Sequence, residues 1–270
     1  MDMGADSVLT DLLSLQSSDD LDAAFLARYD PRAFPPFAVT ADVVVLTIHR
    51  GRLAVLLVKR LEPPQQGMWA LPGGFVGEQQ DLPEAAWHTL ARETGVGVLP
   101  PGIHLEQIGT YGRPGRDPRM RVVSVSYVAL TPDLALSAAL VAGGHVRFWP
   151  IEDLAGDDAP RLAFDHATIL RDGVERARSK LEYTTVALSF VREPFTIADL
   201  RRVYETVWDM ELDPNNFRRS VLETRGFVTP LDGQVRRAHE AGRGRPATLY
   251  RKGPASLLSH TIKRPSPRQT

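Results

Sequence analysis

With 270 residues, the chain has room for one large domain or two of ordinary size. Hydrophobic residues at 43% and charged residues at 24% fit a soluble globular protein, and the absence of cysteine excludes disulfides and thiolate metal sites, as suits a reducing cytoplasm. The net charge of −1 hides a polarity: residues 191–270 carry 15 Lys/Arg against 9 Asp/Glu, whereas residues 1–190 carry 17 against 24. Such asymmetry points to a basic, anion-binding module attached to an acidic body.

Residues 1–30 read as a flexible extension. Residues 1–27 hold Asp2, Asp6, Asp11, Asp19, Asp20 and Asp22 with no Lys or Arg, the opposite of a signal peptide, although Leu9, Leu12, Leu13 and Leu15 could form a short helix. Order is expected from about Pro31. The apolar runs Val39 to Ile48 and Leu53 to Val58, separated by Arg50-Gly51-Arg52, predict a β-hairpin. The apolar runs are far too short to span a bilayer, so no membrane partner is expected. Trp69-Ala70-Leu71-Pro72 leads through a loop into a helix with Ala85, Ala86 and Leu90 on its inner face. An Asp81-x-x-Glu84 capping box starts that helix and Gly95 stops it. Arg121 to Leu130 and Val146 to Pro150 predict further strands. A helix from about Asp165 to Leu181 then closes a first domain, 31–181, as a mixed α/β sandwich.

From Gly74 to Gly95 the spacing matches Gly-x5-Glu-x7-Arg-Glu-apolar-x-Glu-Glu-x-Gly-apolar without a gap. The stretch therefore resembles the Nudix box, a loop and helix whose carboxylates hold Mg²⁺ against a diphosphate. The box glutamates fall at Gln80, Thr89, Arg92 and Glu93, and its arginine at His88, so Glu93 is the only box carboxylate retained. Mg²⁺ needs several hard oxygen ligands, and a cation on the same helix face as Glu93 repels it. Glu78 and Glu84 stand out of frame. No catalytic residue and no metal site are expected, and neither Mg²⁺ nor any other cofactor is required. The reading is a binding module descended from an enzyme.

Residues 182–252 change pattern. Thr184 to Val191 alternates as a short strand. Thr196-x-x-Asp199 caps a helix with Ile197, Leu200, Val203, Tyr204 and Val207 on its apolar face, and Asp213-Pro214 opens a second helix that runs to about Thr224. Gly226-Phe227-Val228 and Ala247 to Tyr250 flank a Gly- and Arg-rich loop. Helix, turn, helix and basic hairpin is the order of a winged helix-turn-helix. Asn215, Asn216, Arg218 and Arg219 sit where a recognition helix meets a groove, and Arg236, Arg237, Arg243, Arg245 and Lys252 lie on the wing. The plain alternative is a solvated charged face. Residues 253–270 read as a flexible tail.

Taken in order, ALPGGFV, RDPRMRVVSVSYVAL, LAFDH, FTIADLRRVYETV, DPNNFRRSVL and GRPATLYR are similar to the NrtR family of Nudix-related bacterial transcriptional regulators, over roughly residues 30–252. The resemblance implies an α/β fold: a Nudix-type α/β/α sandwich followed by a C-terminal winged helix-turn-helix. It implies a cytoplasmic homodimer that binds an inverted-repeat operator in double-stranded DNA, represses NAD biosynthesis or salvage genes, and is released by ADP-ribose or a related nucleotide. For the effector, Arg113, Arg116 and Arg119 beside Asp117 offer cations to a diphosphate, and Phe75 and Trp69 offer rings. Arg60 closes the second strand, and Arg92 could supply charge in place of a metal. The bland alternatives are a locally paired turn for the arginines, a core role for Trp69 and a surface role for Arg60. Two rival functions stay open: an active ADP-ribose pyrophosphohydrolase with an auxiliary C-terminal domain, and an adaptor whose winged domain binds a protein.

Overall fold

The computed structural model describes residues 18–95, 103–132, 136–156, 159–236 and 246–264. It divides into two units, one ending at Phe37 and the other starting at Ala38. In the first, helix α1 (Ser18–Arg28) is followed by a 3₁₀ turn, Pro31–Ala33, in which the Asp30 carboxylate accepts from the Arg32 N–H. The rings of Phe25, Tyr29 and Phe34 stand in a row, 5.5 and 6.0 Å apart. Order thus begins earlier than the expected Pro31. The expected helix around Leu9 to Leu15 lies outside the described residues.

The second unit is built on a mixed sheet. Its strands are β1 (Ala38–His49), β2 (Arg52–Lys59), β3 (Trp69–Ala70), β4 (Gly73–Phe75), β5 (His104–Tyr111), β6 (Val122–Leu130) and β7 (Val146–Pro150). The order is β3-β2-β1-β6-β5, with β4 paired to β1 and β7 to β2. β1 and β2 form the expected hairpin, Leu46 opposite Val55, and Arg50 and Gly51 both turn with positive φ. β1 runs parallel to β6. Because β1 is covered on both faces, its residues Thr40 to Leu46 are all buried, and Val43 to Leu46 form an unbroken apolar run.

Alternation along the strands divides the core. Ala41, Val43, Val45, Leu56 and Tyr127 face helix α2 (Leu82–Thr94) through Ala85, Ala86 and Leu90. Val44, Leu46, Val55 and Val128 face helix α4 (His166–Tyr183) through Ile169, Val174 and Ala177. A short helix, α3 (Ala138–Ala142), precedes β7. This is the expected α/β/α sandwich. Gly95 ends α2 with φ 67°, as expected, but the start differs: the Asp81 carboxylate accepts from the adjacent Leu82 N–H rather than from Glu84, so no capping box forms.

Beyond α4, the strand expected at 184–191 is a 3₁₀ helix, Val186–Phe190. All five of its residues are buried, so the alternation of Val186, Leu188 and Phe190 marks no solvent face. Helix α5 (Ile197–Trp208) carries a complete Thr196/Asp199 capping box, and helix α6 (Pro214–Glu223) starts from an Asp213 cap on the Asn216 N–H. Strands β8 (Val228–Arg236) and β9 (Ala247–Lys252) pair antiparallel as the wing. Residues 253–264 differ from the expected flexible tail. Ile262 is buried, and the Leu258 and Ile262 N–H groups donate to the carbonyls of Tyr183 and Glu182. Apolar Leu258 and Ile262 bind this stretch to the core despite its Pro/Ser/Lys/Arg-rich surroundings.

One hydrophobic cluster runs from Val44 and Leu46 through Ile169 and Leu181 to Leu200, Tyr204, Trp208 and Phe217. Trp208, Tyr204, Phe195 and Phe227 are its largest fully buried side chains. Aromatic side chains of this kind each remove roughly 150–250 Å² from water, about 4–6 kcal/mol at ~25 cal/mol per Å². The winged module is therefore fused to the sandwich through a shared core. Among the described residues, no helix is long and apolar enough to cross a membrane.

Candidate functional site

A cavity of about 430 Å³ opens beside the box loop. Its walls come from the end of β2 (Arg60), the box loop and β4 (Gly73, Gly74, Phe75), α2 (Glu93), the loop before β6 (Arg116, Asp117, Arg119), and the segment entering α4 (Phe164, His166). Cations and rings alternate along one wall. The Arg60 guanidinium lies 4.7 Å from the Phe164 ring centre, and that of Arg119 lies 5.0 Å from Phe75 and 5.9 Å from Phe164. Arg119 is oriented by a bidentate bond to Asp117 at 3.1 and 2.7 Å. Burial alone would raise the Asp117 pKa, but the side-chain and backbone hydrogen bonds of Arg119 hold it below the usual carboxylate range. Burial, then the neighbouring Arg119 charge, lowers the pKa of Arg60, which stays protonated at neutral pH.

Under this wall lies a buried polar cluster. Arg116 forks onto Asp165 at 2.9 and 2.6 Å, and its side chain is 4% exposed. Asp42 accepts from Ser124, and a Cβ on Gly73 would collide with its carboxylate, so glycine is required there. His166 accepts the Leu71 N–H at its Nδ1, which leaves the proton on Nε2, 3.9 Å from Asp42. Complete burial pushes the His166 pKa down, so the ring is neutral at pH 7.

The donor set does not suit Mg²⁺. Glu93 accepts from Arg92 at 2.8 and 3.1 Å, Gln80 turns back to accept the Gly77 N–H, and Thr89 is buried. No group of three or more His, Asp or Glu able to hold a metal occurs among the described residues. Hard-cation coordination needs several converging oxygens, and here one carboxylate is already paired with a cation.

The second site is the exposed face of α6. Phe217 and Val221 are buried and anchor the helix, which turns Asn215, Asn216, Arg218 and Arg219 to solvent. A groove of about 490 Å³ lies where the starts of α5 and α6 meet β9, lined by Arg201, Asn215, Arg218 and Thr248 among others. Arg201 donates to Glu205 and to the Leu212 carbonyl, which fixes the turn between the two helices.

A profile of the NUDIX domain matches residues 36–173, and one of the NrtR DNA-binding winged helix domain matches residues 187–251. The ADPR responsive transcriptional repressor NtrR of Acinetobacter baylyi is 34% identical over 241 residues, 88% of this chain and 91% of that protein. The chain belongs to the NrtR family. A crystal structure of Shewanella oneidensis NrtR complexed with a 27mer DNA is 33% identical, covers 83% of this chain and 99% of its own, and superposes with a TM-score of 0.72. An ADP-ribose pyrophosphatase of Methanocaldococcus jannaschii is 36% identical over 118 residues, 44% of this chain and 64% of that protein.

Within this NrtR architecture, Arg60, Phe75, Asp117 and Arg119 come together around the cavity. Arg116 also lines it, but its fork is taken by Asp165. Arg92 borders the box loop, 3.5 Å from the Gly73 carbonyl. Arg113 and Trp69 lie off the lining. β3 alternation turns Ala70 to the cavity and Trp69 away from it, edge-on to Trp149 at 5.4 Å. On the wing, Arg236 donates to Asp199 at 2.6 Å and to the Pro194 carbonyl, tying β8 to α5 while its side chain stays 51% exposed. Lys252 is held through its backbone N–H, which donates to Glu193. Arg237, Arg243 and Arg245 lie outside the described residues.

Sequence reasoning missed Phe164, His166, Asp42 and His145. The LAFDH motif carried the first two only as a mark of family. His145 lines the cavity, and its buried Nδ1 has no hydrogen-bond partner among the described residues.

Proposed function

We propose that this chain is a homodimeric, cytoplasmic transcriptional repressor of NAD biosynthesis or salvage genes. Its Nudix domain binds ADP-ribose or a related nucleotide without turning it over, and ligand binding releases an inverted-repeat operator. The observation that carries this reading is the cavity wall of Arg60 and Arg119 stacked on Phe164 and Phe75, in a chain whose only box carboxylate is neutralised by Arg92. A diphosphate finds cations there, and a nucleobase or ribose finds ring faces. Asn215, Asn216, Arg218 and Arg219 supply the donors that read and grip DNA. The ADPR-responsive relative and the DNA-bound Shewanella structure support both halves.

Repression and release require ligand and DNA to favour different arrangements of the dimer, with reciprocal coupling. A gel shift on the chain's own NAD-gene promoter fragments, with and without ADP-ribose and with NAD as control, tests the reading. Retarded DNA that ADP-ribose releases supports it, and failure to retard any fragment revives an adaptor role. The pyrophosphohydrolase alternative draws on Glu93 at the cavity wall and on the Methanocaldococcus relative. Mg²⁺-dependent release of AMP from ADP-ribose would establish it.

A further inference from the structure

We infer that α4 links the ligand cavity to the DNA-binding helices, with Phe164 and His166 as its input and reciprocal hydrogen bonds between Arg178 and the end of α5 as its output. The inference rests on the function proposed above and deepens it.

The input end stores strain. Phe164 has φ 53° and Gln65 has φ 59°, a left-handed backbone that is costly for side chains of this size and that recurs at ligand clamps and switches. The Phe164 N–H donates to Gln65 Oε1 at 2.7 Å, so two loops of the cavity mouth hold each other. The Phe164 ring carries Arg60, Asp165 grips Arg116, and His166 is the first residue of α4. A ligand that draws on Arg60 or Arg119, or that seats against Phe164, therefore acts on residues continuous with the helix start.

α4 has 18 residues, about 27 Å at ~1.5 Å per residue. Its middle is held closely against the sheet: a Cβ at Gly173 would stand 3.0 Å from the Val44 side chain. Held there, the helix would carry a displacement at its start to its far end as one rigid element. Near the far end, Trp208 Nε1 donates to the Arg178 carbonyl at 3.0 Å, and Arg178 Nε donates to the Val207 carbonyl at 3.0 Å. Arg178 thereby satisfies a terminal carbonyl of α5 and places a cation at the negative end of that helix.

From Trp208 the contact continues through rings packed edge to face. Tyr204 lies 5.0 Å from Trp208 and 5.1 Å from Phe217 of α6, the helix that presents Asn215 and Arg218. The Tyr204 hydroxyl is buried with no hydrogen-bond partner among the described residues, so this packing leaves a polar group unsatisfied at the junction.

The test uses the full chain, a duplex selected from a random pool by the wild type, and ADP-ribose as the probe. Trp208→Phe keeps the ring and deletes the N–H. Arg178→Gln deletes the cation and serves should the first variant not fold. Both variants are expected to bind ADP-ribose alone, and DNA alone, within about threefold of wild type. The loss of DNA affinity that ADP-ribose causes should shrink by about tenfold or more, and the effect of DNA on ADP-ribose affinity should shrink by the same factor. Arg176→Gln, whose side chain pairs with Glu106 on β5, should leave the coupling intact. A full wild-type response in both Trp208→Phe and Arg178→Gln overturns the link and leaves the functional reading standing. A wild type whose DNA binding ignores ADP-ribose overturns that reading and the link with it.

Discussion

Asp165→Asn isolates the charge of one partly buried residue. Asp165 is the N-cap position of α4 but makes no side-chain capping bond, and Asn is as good a cap as Asp, so helix capping is not at stake. What changes is Arg116, 4% exposed and forked onto Asp165 at 2.9 and 2.6 Å. Breaking a buried pair by removing one partner costs about 3–5 kcal/mol. Two features lower that figure: Asp165 is 17% exposed, and Asp42 stands 3.9 Å from the same guanidinium. The expected loss is therefore about 2–3 kcal/mol, which corresponds to a fall in Tm of roughly 4–12 °C for a chain of this size. Urea unfolding followed by circular dichroism measures it, with Asp30→Asn as comparator, since the Arg32–Asp30 pair is 90% and 56% exposed and should matter little. An Asp165→Asn chain within about 0.5 kcal/mol of wild type would refute the view that Arg116 is a structural cation.

Arg218→Ala and Arg219→Ala should each weaken DNA binding across all sequences or at one base position, and a lost phosphate contact should lower the slope of log affinity against log salt by about 0.9. Fluorescence anisotropy at several salt concentrations checks this, and unchanged affinity in both variants counts against α6. Burial depresses the pKa of His166, so the unfolded chain binds its proton first. The stability this histidine contributes is complete above about pH 6.5 and declines as pH falls below it, by up to ~1.4 kcal/mol per pH unit. The wild type should accordingly lose more stability than His166→Asn between pH 7.5 and 5.5 in urea titrations, and equal losses would contradict the assignment. Gly73→Ala drives a methyl group into the Asp42 carboxylate, so it should abolish ADP-ribose binding measured by calorimetry or unfold the domain. A variant that folds and binds like wild type would show that the box loop yields.

Features set by near neighbours in sequence were legible: the hairpin at Arg50-Gly51, the Gly95 stop, and the caps of α5 and α6 at Thr196/Asp199 and Asp213. Features set by distant partners were not. Arg116 and Arg236 read as free cations because Asp165 and Asp199, which bind them, stand 49 and 37 residues away. The 184–191 segment alternates like a strand, yet the core covers every residue of Val186–Phe190, so period-2 patterning had no exposed side to report. In the cavity, clustering of charge found Asp117 and Arg119 and the end of a strand marked Arg60, whereas Phe164 owes its role to a left-handed backbone that composition does not signal.

Charges of opposite sign balance in the cavity that the proposed function assigns to an anionic ligand. Lys59, Arg60, Arg116 and Arg119 line it against Asp42, Glu62, Glu93 and Asp117, four of each sign, with His166 neutral. Under the proposed function a diphosphate would meet two cations that are already paired, Arg116 with Asp165 and Arg119 with Asp117. Neutralising its charge would draw on Arg60, whose guanidinium donates to backbone carbonyls, and on exchange of the Arg119–Asp117 pair. Arg119 is the one best placed to exchange: it is 41% exposed, its partner Asp117 is buried, and it rests on the Phe164 and Phe75 rings. Any shift of its guanidinium toward phosphate alters its contact with Phe164, two residues before His166 begins α4. For a site that works without a metal, as proposed, exchange of the Arg119–Asp117 pair is the step that would pass ligand binding on to α4.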